Sequence, residues 1–506
     1  MANDKHDRNG EEIFVENKKF EKKLLRKIDF RIMPLLTLLY LLSFLDRVNV
    51  GNAKLAHIEH DLGLVGNQFN WCLSIFFFGY TLFEIPSNYM LIWSNPSYWI
   101  SSIMLLWGIV MTLMAFVKSF LGLMSARFFL GACESGLFPG VIYYITTWYK
   151  RSETNSRIAI LFVGNSFAGS FSGLLAYGIV RLDGKAGLKG WQWIFLIEGL
   201  ITVIVAIFSF LLLSNYPKKT KWLSDEERKY AVGRLKNDAG KAHVEHFNKG
   251  QIYAALTDWK VYLAMLHLGM ICVPFFSFAL FIPTIINGMG FGFGNCKLFL
   301  LMKLILNNNY SNNLSTIFEP HDTVKSQLLS VPPFFCAGIS TLIVAILSDR
   351  QRIRSPFIIF CSFISIIGYI LLAIPSVGTA GKYAGSCIVG AGLSPALITS
   401  ITWLTNNIAG HAKRAIATAM VIMCANIGGA FASQVYRQKD YPRYIFGHSV
   451  SLGFLVASTC TSIIQLFVFI TLNNKKKENP QSLLEGKTEE EIKNMGDKHP
   501  DFIYSL

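Results

Sequence analysis

Pro34-Leu-Leu-Thr-Leu-Leu-Tyr-Leu-Leu-Ser-Phe-Leu-Asp46-Arg47-Val-Asn49 is a long apolar run that ends on two adjacent charges. A charge at membrane depth costs at least ~2.5 kcal/mol on insertion scales, so an ionisable side chain there is a functional candidate. Asp46 and Arg47 are such candidates. The competing reading places them just beyond the hydrocarbon, where they only stop the helix. A second set of charges in another apolar run, Arg127 and Glu134, favours the first reading.

The 506 residues are 52% hydrophobic and 14% aromatic, with 16% charged, where a soluble domain carries about 25% charged residues. Repeated apolar runs of about twenty residues indicate a polytopic membrane protein. Backbone inside a bilayer must satisfy its own hydrogen bonds, so these runs are helices. The net charge of +15 raises nucleic acid as a partner. The basic residues cluster in tails and connecting loops, however, which fits membrane topology and argues against nucleic acid. Eight of nine cysteines lie in apolar runs and Cys296 lies in an atypical segment. No disulfide framework or metal-ligand spacing appears, so no metal site is expected. The first thirty residues alternate acids and bases without an apolar core, unlike a cleaved signal peptide.

Residues 1–31 read as a charged cytosolic tail, held inside by Lys18, Lys19, Lys22, Lys23, Arg26 and Lys27. A first six-helix bundle over 32–213 takes spans near 32–50, 69–92, 99–117, 120–147, 157–180 and 192–213. A basic central loop covers 214–257. Within it, Ser224-Asp-Glu-Glu227 is a capping box that opens a short helix through about Leu235. A second bundle over 258–472 takes spans near 258–286, 325–347, 356–374, 380–402, 414–435 and 447–472. A polar tail covers 473–506. The fold class is thus all-α and polytopic, with twelve transmembrane helices in two pseudo-symmetric bundles and both termini in the cytoplasm. Arg181, Lys185, Lys189, Arg437, Lys439 and Arg443 fall in loops this topology places outside, as solvated charges or as an attraction for anions.

The halves echo one another. Trp148-Tyr-Lys-Arg-Ser-Glu-Thr-Asn-Ser-Arg157 and Trp403-Leu-Thr-Asn-Asn-Ile-Ala-Gly-His-Ala-Lys-Arg414 each give an interfacial Trp, a polar loop and an Arg opening the next helix. Two related halves point to a rocker-type transporter with its site between them. Residues 292–322 break the pattern: a short interrupted apolar piece precedes Asn307-Asn-Asn-Tyr-Ser-Asn-Asn313. A retained intron over about 294–321 and a genuine extracellular loop both account for it, and the transcript decides between them.

In Ala126-Arg127-Phe-Phe-Leu-Gly-Ala-Cys-Glu134-Ser-Gly-Leu-Phe-Pro139-Gly140, Arg127 and Glu134 lie seven apart and share one helix face. They form either a charge network with Asp46 and Arg47 or a static pair locking helices together. A carboxylate that exchanges its Arg partner between states binds and releases a proton, and the freed Arg suits a substrate carboxylate. Glu84 is a gate or a helix-end charge, and Glu198 is a structural pair or a binding group. His267 titrates near neutrality or ties helices together. Tyr80, Asn165 and Asn426 line the cavity or act as polar glue.

On Phe44-Leu-Asp-Arg-Val-Asn-Val-Gly-Asn-Ala53, Ala126 to Gly140, Trp191 to Gly199 and Trp403 to Met420, the chain resembles the anion:cation symporter branch of the major facilitator superfamily. It is most similar there to relatives of fungal allantoate permeases and high-affinity nicotinate transporters. They share Asn287-Gly-Met-Gly-Phe291, Val324 to Pro333 and Gly496-Asp-Lys-His-Pro-Asp-Phe502. The resemblance implies alternating access and proton-driven uptake of a small organic anion. It matches Asp46 and Glu134 to proton-coupling carboxylates, Arg47 to a substrate-facing arginine and Arg127 to its intramembrane partner. One departure is Ile92-Trp-Ser-Asn-Pro-Ser-Tyr98, which lacks the basic residues that Ser348-Asp-Arg-Gln-Arg352 retains.

The resulting expectation is a monomeric plasma-membrane symporter of a carboxylate, driven by the proton gradient without a cofactor, with Arg47, Tyr80, Asn165 and Asn426 at the substrate. The rival functions are a nutrient-sensing receptor on the same scaffold and a facilitator of a neutral solute. An intramembrane enzyme would need a nucleophile-base or metal constellation, and the sequence offers none.

Overall fold

The apolar runs fold as helices because hydrocarbon offers their backbones no other hydrogen-bond partner. The computed structural model describes residues 18–214, 216–220, 222–239, 249–289, 322–351, 353–409, 411–478 and 495–506, with isolated positions 480 and 486. Most of the atypical segment, residues 290–321, lies outside them. The first half contains α1 (Lys18–Leu55), the short α2 (Ile58–Asp61), α3 (Gln68–Trp93), α4 (Pro96–Met114), α5 (Phe120–Glu134), α6 (Leu137–Thr146), α7 (Arg151–Ile179) and α8 (Gly190–Leu212). The central region contains α9 (Asp225–Ala239) and α10 (Lys249–Leu256). The second half contains α11 (Trp259–Gly288), α12 (Asp322–Leu329), α13 (Val331–Gln351), α14 (Ser355–Ala373), α15 (Thr379–Asn406), α16 (His411–Ala432) and α17 (Ile445–Glu478).

Nine stretches among the described residues are long and apolar enough to span a membrane, α5–α6 and α12–α13 each counting as one. With α3, α7 and α16 they make twelve spans. These three carry more polar residues, and each packs one face against the opposite half. α3 meets α16 and α7 meets α13. The two halves repeat one packing scheme. Within the first, α1 packs on α7, α3 on α5 and α4 on α8; within the second, α11 packs on α16, α13 on α15 and α14 on α17. This is the pseudo-two-fold relation expected of two related bundles.

Several elements differ from the sequence expectation. Residues 18–31, read as a tail, begin α1; their Lys, Glu and Leu are good helix formers. The span expected over 120–147 breaks between Glu134 and Leu137. Pro139 has no N–H and its ring crowds the carbonyl of Ser135, which interrupts the helix there. Gly136 also lies so close to α3 that a Cβ would sit 1.8 Å from Ser87 Oγ. Pro332 and Pro333 fall in the first turn of α13, where the missing N–H costs nothing. Trp148 and Trp403, read as interfacial, are both buried under loop and tail segments. Trp148 stacks on Trp222 at 5.7 Å, and Trp403 Nε1 donates to the Ser505 carbonyl at 2.8 Å.

The start of α1, residues 495–506 and the described part of the central loop gather at one end of the helix bundle, the near end. The capping box forms there: Ser224 N donates to Glu227 Oε2 at 2.9 Å and Glu227 N to Ser224 Oγ at 3.2 Å. Arg234 of α9 is fully buried, pairing with Glu153 at 2.9 Å and Glu21 at 3.3 Å. The opposite, far end is where the halves are joined by hydrogen bonds. Gln327 donates to the Asn52 carbonyl at 3.4 Å, Ser170 to that of Val331 at 3.2 Å and Asn70 to that of Tyr436 at 3.1 Å. Ser74 donates to the Ala430 carbonyl at 2.9 Å. Gly51 permits a close backbone approach, since a Cβ there would lie 2.3 Å from the Leu280 carbonyl oxygen.

Residues 495–506 fold back over the near end of the second half. Lys413 Nζ donates to Asp258 and Asp497, each at 2.6 Å, and Lys260 also pairs with Asp497. Burial works against the Asp497 charge, but the two lysines outweigh it and hold the carboxyl below its usual range. Such a group adds stability above its unfolded value, near ~3.9, and loses it as the pH falls through the lower folded value. Asp497→Asn is expected to destabilise the chain at pH 7 by about 3 kcal/mol. In pH-dependent thermal unfolding, its Tm should converge on that of the parent only as the pH falls through the lowered folded value, below ~3.9.

Candidate functional site

The residues that carry charge into the bundle come from neighbouring turns of α1, α3, α5 and α8. Arg47 and Glu134 meet: Arg47 Nε donates to Glu134 Oε1 at 2.7 Å, with Nη2 at 2.6 Å from the same oxygen. Glu134 is fully buried, whereas 18% of the Arg47 side chain is reachable. The guanidinium lies 5.0 Å from the Tyr80 ring centre and 5.3 Å from that of Phe76. These cation–π contacts orient its fork. A small cavity opens beside it, lined by Phe44, Arg47, Phe76, Phe77, Arg127 and Phe276. Phe276 belongs to α11, so the cavity lies between the halves.

Asp46 points the other way around α1. It is fully buried and accepts from Trp107 Nε1 of α4 at 2.8 Å; its second oxygen has no hydrogen-bond partner. Arg127 is buried over Phe195, 5.8 Å from the ring centre, and its Nε and Nη2 also lack partners. Asp46, Arg47, Arg127 and Glu134 thus come together in the first half, with one direct ion pair, Arg47–Glu134, among them. The reading of Asp46 and Arg47 as helix stoppers at a membrane edge does not fit, because α1 continues for more than two turns past Asp46.

Tyr80 lies against the Arg47 guanidinium. Asn426 of α16 lies beside Glu84 of α3, across the interface between the halves. Both Glu84 oxygens lack hydrogen-bond partners at bonding distance. The Asn165 side chain lies outside the described residues. His267 is a tie between helices: its Nε2 lies 2.8 Å from Ser400 Oγ and its Nδ1 3.0 Å from Ser462 Oγ. Trp107, Asn49 and Asn52 belong to the network and were not marked by the sequence. Asn52 Nδ2 donates to Asn49 Oδ1 at 3.0 Å and to Ser172 Oγ at 2.8 Å. Their i, i+3 spacing on α1 was the available signal.

Removing one member of a buried ion pair leaves an uncompensated charge. Glu134→Ala and Arg47→Ala should each cost about 3 kcal/mol, and the double variant should cost less than their sum by at least about 1 kcal/mol. Thermal unfolding of the purified variants measures this; strictly additive losses would contradict the pairing.

The family profile described as Major Facilitator Superfamily matches residues 36–433. An uncharacterised transporter of Schizosaccharomyces pombe is 32% identical over 98% of this chain and 95% of its own. A high-affinity nicotinic acid transporter of Saccharomyces cerevisiae is 31% identical over 96% of this chain and 85% of its own. Among solved structures, a D-xylose-proton symporter superposes with TM-score 0.63 at 13% identity, covering 86% of this chain and 97% of its own. A bacterial homologue of the lysosomal transporter Spinster, in an inward-facing occupied conformation, superposes with TM-score 0.61 at 15% identity, covering 90% and 99%.

Proposed function

The chain belongs to the major facilitator superfamily, as a multi-pass membrane transporter and not an enzyme, and on that premise we propose that it takes up a small organic carboxylate together with protons. The observation that carries this reading is the Arg47–Glu134 pair at the edge of a cavity between the halves. A substrate carboxylate fits the guanidinium fork that Glu134 now occupies. Once displaced, Glu134 is a buried carboxylate without its counter-ion, and it takes a proton. Anion binding and proton uptake are then one exchange of partners. Aromatic walls from Phe44, Phe76 and Phe276 suit a flat or apolar body behind the carboxylate, of the nicotinate kind.

Basic residues in the central loop and tails put the near end in the cytoplasm. The closed far end then faces outside, and the present state is closed to the exterior. Asp46 is the second proton-coupling carboxylate in this scheme, with Arg127 as the fixed charge of the network. The protein works at the plasma membrane as a monomer.

Uptake of labelled nicotinate, allantoate and a panel of vitamin carboxylates tests the proposal in cells lacking their own permeases. We expect uptake of one panel member that is faster at pH 5 than at pH 7 and is abolished by a protonophore. Arg47→Ala removes a charge-assisted fork and should reduce that uptake roughly thirty-fold or more. Surface-expressed protein that moves no carboxylate, or moves a neutral solute indifferently to pH, would overturn the reading.

A further inference from the structure

The cavity beside Arg47 is ringed by aromatic side chains that touch one another. On α3, the Phe76 and Phe77 rings meet edge to face with centres 5.3 Å apart. Phe77 meets Phe276 of α11 in the same way at 5.0 Å, and Phe276 meets Phe275 at 5.4 Å. Phe275 then lies 6.3 Å from Phe44 of α1. Phe44 and Arg47 share a face of α1, and the Arg47 guanidinium returns to Phe76 at 5.3 Å. This collar crosses from one half to the other twice, at Phe77–Phe276 and at Phe44–Phe275. The cavity inside it has room for about one water, so no ring-sized solute fits until the collar parts.

The seat of Phe77 is a glycine of the opposite half. A Cβ on Gly429 of α16 would lie 2.4 Å from Phe77 Cε1, 2.7 Å from Cδ1 and 2.8 Å from Cζ, closer than carbon atoms pack. The ring therefore fills the space that a side chain at 429 would take. On its other side α16 is already pressed on its neighbour: a Cβ on Gly428 would lie 2.6 Å from the Gly269 carbonyl oxygen of α11. Ser74 donates to the Ala430 carbonyl at 2.9 Å and ties α3 to α16 one residue further on. A methyl group at 429 thus moves the Phe77 ring and not the helices. The free space beside that ring is the cavity it lines.

We propose that Phe77, seated on Gly429, and Phe276 form a slot that selects a planar ring, which makes Phe77 and Gly429 specificity-determining residues for a flat aromatic carboxylate over an aliphatic one of the same size. The proposal rests on the carboxylate reading above and deepens it. The carboxylate of such a substrate goes to the Arg47 fork, and its ring enters between Phe77 and Phe276. There it replaces the edge contact between those two rings with one contact to each, so the collar closes again around the solute. Aromatic rings favour stacked and edge-to-face partners with a π-system of their own, which a puckered aliphatic ring does not have. Gly429 sets the width of the slot, since it decides how far Phe77 stands back. Phe77–Phe276 and Phe44–Phe275 both join the halves, so a solute that parts the rings without replacing their contacts leaves the halves less firmly held.

Direct binding of labelled benzoate, nicotinate, cyclohexanecarboxylate and the neutral benzamide to the full chain in lipid nanodiscs tests this. Benzoate and cyclohexanecarboxylate carry the same charge and similar bulk, and only the first is flat. The parent should bind benzoate and nicotinate about tenfold more tightly than cyclohexanecarboxylate, the worth of one or two ring contacts. Phe77→Leu, which keeps apolar bulk, should remove that preference and leave cyclohexanecarboxylate affinity within about twofold. Gly429→Ala should weaken all three carboxylates about tenfold or more. Gly429→Ala with Phe77→Ala should recover cyclohexanecarboxylate binding without the preference for benzoate, which separates a filled slot from a misfolded chain. Cyclohexanecarboxylate bound as tightly as benzoate by the parent, or a preference that survives Phe77→Leu, would overturn the proposal and leave the carboxylate reading standing. Benzamide bound as tightly as benzoate, with the same loss in Phe77→Leu, would uphold the slot for a planar ring while the carboxylate reading fails. Binding of none of the probes by the parent would overturn the slot.

Discussion

A buried charge must find a partner or lose its charge, and the first half is arranged around that constraint. Hydrocarbon and packed helix interiors leave an isolated ion several kcal/mol above its place in water. Glu134 meets the constraint with Arg47, and Asp46 meets part of it with the Trp107 indole. Arg127, Glu84 and Glu198 do not meet it with any bond at ordinary distance. A protein that only needed stability would replace such groups with apolar ones of similar size. They sit together on α1, α3, α5 and α8.

The second half is different in kind. Its buried His267 is fully engaged with serines of α15 and α17, and Asp258, Lys260 and Lys413 lie at the near end, bound together with Asp497 of the returning tail. What it gives the site is a wall, through Phe276, Ala279 and Leu280, and closure, through Gln327 and Gln434. Pseudo-symmetry of packing therefore coexists with asymmetry of charge. One half holds the buried acids and arginines, and the other covers them. Gly51, pressed against the Leu280 carbonyl, is where the two come close on α1.

Much of this was legible in the sequence because hydrophobic length is a local property. The spans and the charges placed inside them, Asp46, Arg47, Arg127 and Glu134, stand out from their own neighbours. The break at Ser135–Gly136 was signalled by Pro139 but was hidden by the continuous apolarity of the run. Trp148 and Trp403 were misread because a tryptophan at a helix end is usually met by headgroups; here Trp222 and the Ser505 carbonyl, distant in sequence, cover them. Asn49 and Asn52 carried no mark of their own. Their meaning depends on Ser172 and Gln327, which only the folded chain brings to them. Glu198 was visible as a charge in an apolar run, but that its buried oxygens find no hydrogen-bond partner was not.

The central claim is that the buried charges and the far-end closure belong to one equilibrium. Spin labels on the exposed loop residues Val65 and Tyr441, one on each half, read the far-end separation in lipid by electron-spin distance measurement once the native cysteines are replaced. Two distances are expected, the shorter being that of the present structure, with populations that change between pH 7 and pH 5 and cease to change in Glu134→Gln. A single distance, the same at both pH values in the parent chain, would contradict it.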